Sequence, residues 1–147
     1  MKRINDKALY LYSGLVALVL AAIIAAPSFY SILIVEPGVE KLLSSTENVS
    51  ADYKEAYMII RTPHIFGKYE HFDPEGISVK NSMVYFDRMI YTGQDLVPEH
   101  RQYLEVVLDR RKKASRLGRY TSLFLLSVTA IVSLCYIFEI RRSGEQD

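Results

Sequence analysis

The chain has 147 residues, half of them hydrophobic, with a net charge of +1 and a single cysteine. Near-neutral charge excludes a strongly basic nucleic-acid binder. One cysteine excludes an intrachain disulfide framework and a paired-cysteine zinc site. The sequence carries no Gly-rich phosphate loop and no G-x-S-x-G element, so the common nucleotide-binding and hydrolase signatures are absent.

The apolar residues collect in two blocks. The first, Leu9 to Val35, is uncharged over 27 positions. A membrane-spanning helix needs about 20 such residues. As a single helix the block would measure roughly 40 Å, more than a ~30 Å hydrocarbon core, so a tilt or a bend at Pro27 is expected. The basic start (Lys2, Arg3, Lys7) resembles the head of a signal peptide. Cleavage after Ala26 would put Ile24 at the −3 position, however, and hydrophobicity resumes beyond Pro27. The expectation is a retained anchor.

The second block, Tyr120 to Phe138, is uncharged over 19 residues. Tyr120, Tyr136 and Phe138 stand at its ends, as Tyr10, Tyr12, Phe29 and Tyr30 do in the first. Such rings favour the headgroup level. The chain therefore divides into a tail (1–8), a first transmembrane helix (9–35), a loop domain (36–119), a second transmembrane helix (120–138) and a tail (139–147). Both tails are short, and no signalling output domain is expected in them. Basic residues near the span ends number five in the tails and seven in the loop, which decides little. Lys2, Arg3 and Lys7 precede the first span, whereas Glu36 and Glu40 follow it. That asymmetry predicts a two-pass protein with both termini cytoplasmic and the loop outside, in a bacterial inner membrane. Cys135 lies in the second span and reads as a small apolar filler.

The loop holds 13 basic and 13 acidic residues. Glu36-Pro37-Gly38 is expected to break the first helix. Ser50 offers a cap for a helix with Tyr53, Tyr57 and Ile60 on one face, ended by Thr62-Pro63. Residues 64–80 read as irregular. Asn81 or Ser82 can cap a helix that sets Met83, Phe86 and Ile90 along one face and stops at Gly93. Pro98 suits a first helical position, and one helix is expected from there to about Ile140, along which Tyr103, Val106, Val107 and Arg110 keep helical spacing. The predicted fold is mainly α: two transmembrane helices forming a helical hairpin, a small, mostly helical extramembrane domain between them, and a second span that continues a long helix.

Three groups of residues suggest chemistry or contact. His64, Glu70, His71, Asp73, Glu75, Glu99 and His100 are the best polar constellation, but their spacing fits no known metal site, and they read as surface and capping groups. Arg110, Arg111, Lys112, Lys113, Arg116 and Arg119 spread around a helix just outside the second span. They form a collar that can meet lipid phosphates or simply stop the span. In the first span Ser13, Ala17, Ala21 and Ala25 recur every four residues beside Gly14, Ala22 and Ala26, a face that admits close helix approach. Thr129, Ala130 and Ser133 offer a matching patch in the second span. Neither span holds a central charge, against an ion pathway. Asn48-Val49-Ser50 is a glycosylation sequon of low specificity. No catalytic residue, metal or cofactor is expected. The predicted role is a non-enzymatic accessory or assembly subunit of a membrane complex. Its expected partners are the lipid bilayer and a membrane protein or a second copy of the chain. An extracytoplasmic sensor or ligand-binding module and a homo-oligomeric two-span channel are the alternatives.

Overall fold

The structure is a computed structural model describing residues 6–67 and 77–144. These residues form α1 (Asp6–Tyr30), a π-helical turn (Ser31–Val35), α2 (Glu36–Ser44), α3 (Ser50–Arg61), α4 (Val79–Thr92) and α5 (Pro98–Gly144). Among the described residues there is no strand. Two helical stretches, Lys7–Ser44 and Pro98–Arg142, are long and apolar enough to cross a membrane.

The expected break at Glu36-Pro37-Gly38 does not occur. Helix continues through it to Ser44, where Ser45 turns extended at φ −81° and ψ 146°. The π-turn explains the continuity. Glu36 N–H bonds to the Ser31 carbonyl five residues back, so the ordinary ladder is already interrupted just before Pro37. A proline placed there, in the first turn of α2, gives up little by lacking its N–H. Gly38 has a different use. A Cβ on it would lie 2.4 Å from Glu55 Cγ and 2.7 Å from Glu55 Cβ, so its bareness lets α2 lie against α3.

The molecule divides into two compact units. One comprises residues 1–26 and 119–147, the other residues 27–118. The division cuts the first apolar block at Ala26/Pro27. Val35 is fully buried and joins the core of the second unit, where Ser28 and Ser31 are also fully buried. The last third of the block thus sends Ser28, Ser31 and Val35 inward, while Phe29, Tyr30, Leu33 and Ile34 stay exposed. The part that remains in the first unit, Leu9 to Ala26, is about as long as the second block.

The second unit has a core of its own. Val39 and Leu42 of α2, Tyr53, Ala56 and Ile59 of α3, Phe86 and Met89 of α4, and Tyr103, Leu104 and Val107 of α5 are all buried together. The apolar spacing along each helix dictates this, because each presents one stripe inward. Burying such side chains contributes on the order of 2 kcal/mol each. Helix ends fall close to the sequence expectations. α3 ends before Thr62-Pro63 as expected, but Ser50, expected as its cap, is already its first helical residue, and the cap is Val49, which offers no side-chain bond. α4 begins earlier than expected, because Ser78 Oγ accepts the Asn81 N–H at 3.1 Å. It ends at Gly93 in the left-handed conformation, φ 57°. Polar ties close the unit. Lys41 pairs with Asp52 at 3.2 Å, Arg101 donates to the Leu43 carbonyl, and Tyr53 donates to the Gln94 carbonyl.

Candidate functional site

Within the second unit the most concentrated polar chemistry is a buried seam joining α1, the π-turn, the segment after α3, and α5. Arg111 is its centre. It is only 4% exposed. Its Nε donates to Ser31 Oγ at 2.8 Å and its Nη1 to the Thr62 carbonyl at 2.5 Å. Ser31 passes the link on, donating to Glu36 Oε1 at 3.1 Å. The guanidinium thus reaches a carboxylate through a hydroxyl rather than by direct contact. A buried guanidinium is costly unless its donors are met, and here one fork serves two separate chain segments.

His64 forms the second half of the seam. It is 2% exposed. Its Nδ1 accepts the Phe66 N–H at 3.3 Å, and its Nε2 lies 3.0 Å from Ser28 Oγ. An accepting Nδ1 puts the proton of the neutral ring on Nε2, which therefore donates to Ser28. A serine–histidine pair invites a nucleophile reading. In this tautomer, however, the ring offers Ser28 no lone pair to take its proton, and Ser28 is wholly buried on a helix. Burial pushes the His64 imidazole below its usual range, nearby Arg111 pushes the same way, and Glu36 opposes both. The His64 carbonyl accepts the Gly67 N–H at 2.8 Å, which closes the segment into a turn. Gly118 provides the space. A Cβ there would sit 2.0 Å from Ser28 Oγ and 3.0 Å from His64 Cε1.

The residues singled out from the sequence scatter. Glu70, His71, Asp73 and Glu75 lie outside the described residues. His64 belongs to the seam. Glu99 is exposed, and His100 stacks on Tyr85 with ring centroids 3.7 Å apart. Burial holds the His100 imidazole low. No three His, Cys, Asp or Glu residues among the described ones converge as metal ligands do. Arg111 departs from the basic collar by pointing inward. Lys112 pairs with Glu40, Lys113 pairs with Asp109 at 2.6 Å, Arg119 lies over the Tyr120 ring at 5.1 Å, and Arg116 is exposed. Arg110 is half-buried. Asn48 is half-buried and faces the Gln94 carbonyl and Asp95.

In the first unit the small-residue face divides. Gly14, Ala17 and Ala21 are buried inside the chain, Ala25 is half-buried, and Ser13 and Ala22 are exposed. A Cβ on Gly14 would touch Val132 Cγ1 at 3.4 Å, so this part of the face meets the second apolar block of the same chain. A shallow groove lined by Tyr10, Gly14, Leu18, Thr129, Ser133 and Tyr136 runs beside it. Ala21→Leu is expected to loosen this unit by about 1–3 kcal/mol through overpacking. Leu20→Phe, at a residue 45% exposed, should stay within about 0.5 kcal/mol. Thermal unfolding of the full chain in mild detergent checks the contrast.

Sequence reasoning missed Ser31 and Ser28 as partners of Arg111 and His64, and Gly118 as the bare position beside Ser28 and His64. The available signal was two serines and a proline interrupting the end of an apolar block, and a lone glycine inside an otherwise unbroken helix. No known protein family, characterised protein or solved structure matches the chain.

Proposed function

We propose that the chain is a non-enzymatic accessory or assembly subunit of a membrane protein complex. In this reading α1 and α5 cross the bilayer of a bacterial inner membrane as a helical hairpin, both termini are cytoplasmic, and the second unit is the extramembrane domain. The observation that carries it is uncovered apolar surface. Leu123, Phe124, Ile131, Leu134, Ile137 and Phe138 of α5 are between 46% and 66% exposed. A surface of that extent needs lipid or a partner helix. A photo-crosslinking residue at Phe124 or Ile131, in the full chain and its native membrane, tests the reading. The expected result is a discrete adduct with a second membrane protein that is missing when the probe sits at buried Ala17. Adducts with copies of the chain alone would favour a homo-oligomer, and labelling of lipid alone would remove the partner.

The topology has its own test. Reporter fusions at Asp95 should give an extracytoplasmic signal, and fusions at the C-terminus a cytoplasmic one. A cytoplasmic signal from Asp95 would invert the arrangement. A sensor role is the second reading, favoured by the unbroken helices Lys7–Ser44 and Pro98–Arg142, each of which includes core residues of the second unit and an apolar block. A ligand of such a sensor would raise the unfolding temperature of the full chain.

A further inference from the structure

We propose that the His64 turn is an acid-released latch, which holds residues 62–67 on the π-turn region and α5 while His64 is neutral and frees them when it gains a second proton. The inference concerns the second unit alone and is independent of any membrane role.

The geometry accommodates one protonation state. Nε2 faces a hydroxyl and can donate to it in either state. Nδ1 faces a donor, the Phe66 N–H. A proton added at Nδ1 would point at that N–H and abolish the hydrogen bond. The ring is 2% exposed, with the Phe66 ring 6.1 Å from it, so the charged form has no water to turn to without the segment moving. The surrounding charges do not compensate. From α5 the Arg111 guanidinium opposes a second cation, from α2 the Glu36 carboxylate favours one, and from α1 the neutral Ser28 hydroxyl faces the ring. Arg61, at the end of α3, is engaged with Tyr57, over whose ring its guanidinium lies at 5.6 Å. The Glu36 carboxylate is already engaged by Ser31.

The same short segment carries the Thr62 carbonyl that accepts from Arg111. Release of His64 therefore strips the buried guanidinium of one of its two acceptors, so the two halves of the seam open together.

The direction follows from linkage. A histidine whose folded-state affinity for protons is depressed contributes stability in full above its ordinary pKa of about 6.5, and that contribution is lost as pH falls below this value. The test is hydrogen exchange of the Phe66 and Gly67 amides in the full chain in detergent, corrected for intrinsic exchange rates. Between pH 7.5 and 5.5 the opening constant should rise up to about tenfold, the factor set by protonating a free imidazole in the open segment. His64→Gln should flatten that dependence, while His100→Phe, which removes the other depressed imidazole, should leave it in place. If His64→Gln is unstable, direct NMR titration of the His64 ring in the unmodified chain substitutes, and a midpoint below that of a free imidazole is expected. Protection that does not change with pH, a dependence that survives His64→Gln, or a His64 midpoint at or above the ordinary value would overturn the latch.

Discussion

Arg111→Ala is expected to destabilise the protein by about 3–5 kcal/mol, the range for removing one member of a buried, hydrogen-bonded charge system. The substitution deletes two donors at once. The Thr62 carbonyl loses its partner, and Ser31 loses the donor that aligns its hydroxyl toward Glu36. It also empties the volume of a long, buried side chain. Arg111→Lys separates charge from geometry. An ammonium is a point donor and cannot span Ser31 and Thr62 as the planar fork does, so a loss of about 1–2 kcal/mol is expected even though the charge is kept. Arg116→Ala is the control. It removes an equal charge about one and a half turns along the same helix from an exposed side chain, and its effect should stay within about 0.5 kcal/mol. Denaturant unfolding of the full chain in mild detergent, followed by its tyrosine signal, compares the three. Equal effects at Arg111 and Arg116 would return Arg111 to the surface collar.

That contrast also marks how far the sequence could be read. Positions of the helices follow from periodicity and punctuation, which are local: Gly93 must stop α4 because its left-handed backbone cannot continue a helix, and Pro98 can open α5 because a first helical residue needs no N–H partner. Core stripes are local too: Tyr53 and Ile60, or Met83, Phe86 and Ile90, share a face by spacing and meet the core, although Met89, which the spacing did not single out, is buried deeper than Met83 and Ile90. The seam depends on distance in space. Arg111 and Ser31 lie 80 residues apart, and Ser28 and His64 lie 36 apart. In the sequence Arg111 is indistinguishable from its basic neighbours. Only the packing of α5 in the second unit decides which of those side chains turns inward. Pro37 misled for a related reason. It is a breaker in a regular ladder, and the π-turn that makes it harmless is not written in any residue preference.

Gly118→Ala sets two known effects against each other and is expected to come out destabilising. In a helix interior alanine is favoured over glycine by roughly 1 kcal/mol, so on propensity alone the change should help. The added methyl would meet Ser28 Oγ at 2.0 Å and Ser28 Cβ at 3.1 Å, with His64 Cε1 at 3.0 Å. Rotating the Ser28 hydroxyl away relieves the first contact but not the second, and it gives up the bond from His64. Overpacking of this kind costs typically about 1–3 kcal/mol, which outweighs the propensity gain once the lost hydrogen bond is added. Pairing the change with Ser28→Ala supplies the diagnostic. The double variant removes the oxygen that clashes and keeps the helix-favouring methyl, so it should recover part of the loss and give a coupling of opposite sign to the single effects. Melting temperatures of the four forms in one detergent measure that coupling. Additive losses, or a stabilised Gly118→Ala single variant, would show that α5 does not close on Ser28 and His64 as described.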